Sequence, residues 1–216
     1  VVRLINERPW KDYIYRRGDL AEFAGRHYSG QRNHIHKFRK LYPDAEYVPL
    51  TAADEPLLER FWQDYGAEFS KESAIAQNEL RLAKEMLRHL AGDWFVAGGL
   101  LHEGRLVAIS MGEQCGSTMQ VHIEKALYSY PGAYPTMVQE FARHCDDSVL
   151  WMNREDDARD KGLRTSKMQY LPAALGGKLC FEVGSELDRL HEIPTLHSDR
   201  LTLDALKEKD KLPYNA

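Results

Sequence analysis

No stretch of this sequence is apolar for long enough to cross a bilayer, which takes about 20 residues. Trp94 to Leu101, among its longest apolar runs, falls well short. No transmembrane helix is therefore expected, and no secretory signal is visible. Cysteine is scarce: Cys115, Cys145 and Cys180 are odd in number and widely spaced. That pattern excludes a disulfide framework and predicts free, buried thiols in a reducing cytoplasm. It matches no zinc spacing, so no metal is expected. A large excess of charge is missing too. The formal charge is −4, which gives no bulk attraction to nucleic acid or anionic lipid.

What is present suits a folded chain. Hydrophobic residues make up 43% and charged residues 29% of 216, ordinary values for a soluble globular protein. Eleven Tyr, seven Phe and four Trp can fill a sizeable core. The charge is unevenly placed. Gly25 to Tyr42 holds Arg26, Arg32, Lys37, Arg39 and Lys40, with His27, His34 and His36, and no acid. The first residue is Val1, and Val1 to Asn6 reads like the interior of an element, which predicts polypeptide upstream.

Periodicity supplies the elements. Asp12 to Tyr15 reads as a strand. A helical turn follows, with Asp19 as its N-cap. A basic helix over 28–40 places Ile35, Phe38 and Leu41 on one face and stops at Pro43. Glu46 to Leu50 is a strand. Thr51 caps a helix with Leu58, Phe61, Trp62, Tyr65 and Phe69 in its inner stripe. A second helix is expected over 72–90, closed by Gly92. The period then changes. Trp94–His102 and Arg105–Glu113 form a hairpin turning at Glu103-Gly104, and Thr118 to Ala126 is a third strand. After a turn at Tyr130 to Ala133, Tyr134 to Cys145 is an amphipathic helix. Ser148–Asn153 is a short strand, 163–170 a helix, and Lys178–Val183 a last strand. The remainder is a polar tail. This order predicts a mixed α/β sheet, neither a doubly wound Rossmann sheet nor a barrel.

A hairpin carrying Glu103-Gly-Arg-Leu-Val-Ala108, then a strand, then a glycine turn into a helix, resembles the core of the GNAT acyltransferase fold. Three segments sharpen this: Arg32-Asn-His-Ile-His-Lys-Phe38; His122-Ile-Glu-Lys-Ala126 with Gly132-Ala-Tyr134; and Asn153-Arg-Glu-Asp156 with Gly162-Leu-Arg-Thr-Ser-Lys167. In this order they resemble the C-terminal domain of lysylphosphatidylglycerol synthases, over roughly residues 12 to 185. The resemblance implies two GNAT-like halves, related to Fem-type peptidyltransferases. Residues 1–50 would be the remainder of the first half, 51–185 the catalytic second half, and 186–216 the tail. It also implies aminoacyl-tRNA as donor, no further cofactor, and an acceptor amine or hydroxyl on a phosphatidylglycerol-like lipid or a small molecule.

The residues themselves leave alternatives. GNAT enzymes hold coenzyme A pyrophosphate on backbone N–H groups of a Q/R-x-x-G-x-G/A loop. Here the turn is Tyr130-Pro-Gly-Ala-Tyr-Pro135, with one glycine and two prolines that lack donors. That favours a donor other than acyl-CoA. Strand alternation puts His122 and Glu124 on one face, where they can take a proton or hold a donor ammonium; they can equally be a structural pair. Asn153 and Glu155 follow a strand end, where ligand groups gather, or form an acidic cap. Arg164 and Lys167 share a helix face and can stabilise an oxyanion or bind phosphate, or be solvated. Arg32 and Asn33, on the basic helix, can bind tRNA phosphates or an anionic headgroup. The expected catalytic set is His122, Glu124 and Lys167, and the expected substrate-binding set is Asn153, Glu155, Arg164, Arg32 and Asn33. The same sequence also admits an acyl-CoA-dependent N-acyltransferase, or a non-catalytic ligand-binding protein of this fold.

Overall fold

The computed structural model describes residues 2–5, 8–68, 86, 95–178, 180–183, 196–197 and 202–203. They fall into two units, one drawn from Val1–Asn6 and Leu179–Ala216, the other from Glu7–Lys178. In the first, β1 (Val2–Ile5) pairs antiparallel with β9 (Cys180–Val183), and β10 (Leu196–His197) with β11 (Thr202–Leu203).

The second unit is built on a seven-stranded sheet. In chain order its strands are β2 (Asp12–Arg16), β3 (Glu46–Pro49), β4 (Phe95–His102), β5 (Arg105–Cys115), β6 (Thr118–Ala126), β7 (Trp151–Asn153) and β8 (Ala174–Gly176). They lie in the order β3-β4-β5-β6-β7-β2-β8. Every pair is antiparallel except β6–β7, which is parallel. Among the described residues this unit holds α1 (Arg17–Glu22), α2 (Ser29–Leu41), α3 (Glu55–Glu68), α4 (Ala133–His144) and α5 (Lys161–Gln169). An antiparallel meander, then α4 leading to a parallel strand, is the GNAT-like arrangement expected above. The expected break at residue 50 does not divide this unit, because β2 lies between β7 and β8 and α1 and α2 pack on α4.

Each sheet face has its own apolar cluster. One gathers Leu20, Phe23, Ile35, Phe38, Met137 and Phe141 from α1, α2 and α4. The other gathers Leu58, Phe61 and Trp62 from α3. The expected Thr51 cap is present, as a capping box with Asp54. Asp19 instead sits inside the first turn of α1, whose N-cap is Arg16. The helix expected over 72–90 lies outside the described residues, except for Met86, which packs on the α3 cluster. Phe69 and most of the tail lie outside them too.

Two features of β6 shape the site. Its pairing with β5 shifts register between Met111 and Gly112, which oppose Ile123 and Val121 and leave His122 as the extra residue of a β-bulge. Gly112 permits this, since a Cβ there would lie 2.3 Å from the Gln120 carbonyl oxygen. In addition, β6 pairs with β7 only from Thr118 to Gln120. Beyond that the two strands form an open fork.

Candidate active site

A cleft of about 750 Å³ borders the free end of β6, the α4 entry and the start of α5. Tyr65, Tyr128, Tyr130 and Tyr134 line it, together with Glu124, Asp160 and Lys125, whose ammonium lies over the Tyr65 ring at 5.9 Å. Glu124 is the expected site residue that lines this cleft. Its carboxylate is paired with Arg154, and their side chains are 8% and 3% exposed. The Tyr134 hydroxyl donates to Glu124 Oε2 at 2.9 Å and accepts from Arg154 Nη2 at 2.8 Å. Ser110 donates to the other carboxylate oxygen at 3.4 Å. The Arg154 guanidinium lies over the rings of Tyr170, Tyr15 and Tyr134 at 4.5, 5.3 and 5.8 Å, a cage in which cation–π attraction substitutes for water. Burial, with the Glu124 charge next, pushes the Tyr134 phenol well above its ordinary pKa, so it remains a proton donor in this network.

His122 is on the other face. Because the bulge interrupts alternation, Val121 packs into the α4-side cluster and Ile123 into the α3-side cluster. Glu124 thus points to α4, while His122 points to Glu113, which alternates with the α3-side residues Ile109 and Met111. The shared face expected for His122 and Glu124 is therefore corrected, and His122 does not line the cleft. Its Nδ1 lies 2.8 Å from Glu155 Oε1 and its Nε2 3.4 Å from Glu113 Oε1. The hydrogen bond to Glu155 raises its pKa above 6.5 against the opposing effect of burial.

The loop after β7 collects most of the remaining expected residues, and they bind one another. The Lys167 ammonium is buried and donates to the backbone carbonyls of Arg154, Glu155 and Asp156. Burial pushes it down to about 8. Asn153 donates to Asp12 Oδ2 at 2.9 Å and accepts from the Glu155 N–H at 2.9 Å. Arg164 grips Asp157 through Nε and Nη2 at 2.7 and 2.9 Å, and Tyr13 donates to Asp157 at 2.7 Å. These bonds hold a backbone that enters the left-handed region at Glu155, Ala158 and Arg159, with φ of 56°, 45° and 67°. Arg164 and Lys167 are therefore not a solvated basic face.

A sequence profile of the phosphatidylglycerol lysyltransferase C-terminal domain matches residues 4–180. The chain belongs to this family. Among solved structures, it is 34% identical to a conserved protein of unknown function from Bacteroides thetaiotaomicron, covering 82% of this chain and 61% of that one, with a TM-score of 0.70. It is 10% identical to the C-terminal domain of a putative lysylphosphatidylglycerol synthetase from Agrobacterium fabrum, covering 86% and 62%, TM-score 0.58. It is 12% identical to L-PGS from Bacillus licheniformis, covering 82% and 60%, TM-score 0.57. The last two likenesses concern the fold alone. An uncharacterized protein of Mycoplasmoides gallisepticum is 22% identical over 174 residues, 79% of this chain and 55% of that one. The chain thus spans less than two thirds of the length of these relatives.

Within this family fold, the two remaining expected residues sit away from Glu124. Arg32 donates to the carbonyls of Phe23 and Gly25, closing the turn after α1, and Asn33 is exposed on α2. Neither lines the cleft. Sequence reasoning did not single out Arg154, although it lies inside the quoted Asn153–Asp156 segment. Strand alternation was the usable signal, since it sends residue 154 to the face opposite 153 and 155. Cys145 is buried as expected, but Cys115 is exposed. No helix among the described residues is long and apolar enough to cross a membrane.

Proposed function

We propose that this domain is an aminoacyl transferase that takes its aminoacyl group from aminoacyl-tRNA and passes it to an amine or hydroxyl acceptor, a phosphatidylglycerol-like lipid or a small molecule. The observation that carries the reading is the chemistry of the cleft. Four tyrosines and the acids Glu124 and Asp160, beside the cation Lys125, line it and suit an ammonium-bearing donor. The positions that would cradle a pyrophosphate are short of donors. At α4, Pro135 has no N–H and the Ala133 N–H is bonded to Tyr130; at α5, the Asp160 carboxylate already accepts the Leu163 N–H. A nucleotide diphosphate gains little there.

In the proposed step the acceptor oxygen or nitrogen bonds to the ester carbonyl carbon. The bond from that carbon to the tRNA ribose oxygen breaks. Glu124, held by Arg154 and Tyr134, takes the acceptor proton and returns it to the leaving ribose hydroxyl. Holding the carboxylate in place contributes positioning. Exposed His34, His36, Lys37 and Lys40 of the acid-free α2 offer phosphate contacts. This helix adjoins the cleft, because the His34 carbonyl lies against Gly132, which lines it.

The test is transfer of radiolabel from a panel of charged tRNAs to phosphatidylglycerol vesicles and to small amines, with filter binding alongside. Binding should weaken as salt rises, and Lys37→Glu with Lys40→Glu should flatten that slope by about 1–2 units, given a slope of about 0.9 per duplex phosphate contacted. Absence of both binding and transfer at saturating charged tRNA sinks the reading. So does micromolar acyl-CoA binding that desulfo-CoA displaces.

A further inference from the structure

Backbone pairing between β6 and β7 stops at Gln120 and Asn153. Past that point two side-chain pairs cross the fork, one on each face. On the cleft face Glu124 reaches Arg154, and on the opposite face His122 reaches Glu155. Arg154 and Glu155 are consecutive, so both pairs pull on one short segment. We infer that His122 is a positioning residue: by holding Glu155 it fixes the segment after β7 and thereby seats the Arg154 guanidinium against Glu124. Its consequence for transfer rests on the function proposed above; the coupling across the sheet does not.

Three observations carry this. The bulge makes His122 the one residue of β6 between Val121 and Ala126 that has no partner on β5, and its ring bridges two carboxylates instead. Glu155 stands at φ 56°, a backbone state that is unfavourable for a side-chain-bearing residue and persists only where its surroundings hold it. The segment's carbonyls are already bound by Lys167, and Tyr13 exchanges backbone bonds with Arg154 and Glu155 at 3.0 Å each. On the face opposite the cleft, the Glu155 side chain is therefore what binds this segment across the fork.

The chemistry of imidazole makes the clamp pH-dependent. The groups facing the ring are Glu155 from the loop, Glu113 from β5 and the Phe95 ring of β4, 6.2 Å away. As an imidazolium, His122 donates to both carboxylates. As a neutral ring it has a single N–H, so one contact becomes lone pair against carboxylate. The clamp should be tightest below the His122 pKa and slacken above it.

The test reads both faces at once by NMR. The His122 ring resonance and the Arg154 Nε–Hε resonance are followed from pH 5.5 to 9 in the whole chain. In the wild type, His122 should titrate above 6.5 and Arg154 should shift with the same midpoint. In Glu155→Gln and in His122→Asn, the Arg154 shift at that midpoint should vanish. Glu113→Gln should lower the midpoint and keep the coupling. An Arg154 signal that stays flat through the His122 midpoint overturns the inference, as does one that moves unchanged in Glu155→Gln. If the coupling holds and no charged tRNA supports transfer, the proposed function falls and the clamp stands.

Discussion

Replacing Glu124 by glutamine should destabilise the fold far more than its position beside a cleft suggests. The substitution removes one charge from a pair whose other member cannot reach water. Arg154 is 3% exposed at its side chain, and its Nε and Nη1 already lack hydrogen-bond partners among the described residues. Stripping one partner from a buried pair costs about 3–5 kcal/mol, because the remaining charge stays desolvated. The glutamine amide oxygen can still accept from the guanidinium, and the three tyrosine rings persist, so the lower end, about 3 kcal/mol, is expected. For a domain of this size 1 kcal/mol moves the Tm by about 2–4 °C, which gives a fall of about 6–12 °C. Arg154→Met should be milder, about 1–2 kcal/mol, since Glu124 borders the cleft and retains the Tyr134 and Ser110 donors. The double variant should cost about 2–3 kcal/mol, less than the sum of the two single losses by a coupling free energy of about 2 kcal/mol. Thermal and urea unfolding of the four proteins measures the cycle. A Glu124→Gln cost under about 1 kcal/mol, or strict additivity, would refute the buried-pair argument.

Acid stability tests the loop. The Arg164 guanidinium, with Tyr13 second, holds the Asp157 carboxyl down at about 2 against an ordinary 3.8. A depressed folded pKa contributes stability above pH 4 that is lost as pH falls from there toward 2. Arg164→Gln should therefore move the acid-unfolding midpoint upward, and an unmoved midpoint would show that the pair is idle. Gly132 tests the seat of α2. It stands at φ 89°, and a Cβ would meet the His34 carbonyl oxygen at 2.3 Å. Gly132→Ala should cost more than about 1 kcal/mol in urea unfolding, where a compatible site would gain stability; a neutral result would mean that α2 does not press on this turn.

Some of the architecture was legible because it is local. Thr118–Ala126 is a strand with the bounds that its alternation predicts, and Glu103-Gly104 turns the hairpin with φ of 49° and 71°. Thr51 and Asp54 form a cap because both partners lie within four residues. Other features were not legible, because they exist only through pairing. Ala174–Gly176 has no alternation of its own and becomes a strand by pairing with Asp12–Ile14. The bulge at His122 is an excess of one residue over β5, so Val-His-Ile-Glu reads as regular until β5 is laid beside it. That single residue moves His122 to the face opposite Glu124.

The same limit explains why residues that looked chemical proved to be scaffold. A loop with three left-handed, side-chain-bearing positions needs several independent ties, each worth about 1 kcal/mol or more, to stay in place. Asn, Asp, Arg and Lys supply such ties at the end of a strand just as they supply ligand contacts, so residue type and spacing cannot separate the two uses. Satisfaction can. Arg164 faces Asp157 and Lys167 faces three carbonyls, which leaves them little capacity for a substrate. Glu124 is tied as well, to Arg154, Tyr134 and Ser110, and differs in that it lines the cleft. Among the eight residues expected from the sequence it is the one that lines the cleft, which is why the proposed proton transfer is assigned to it.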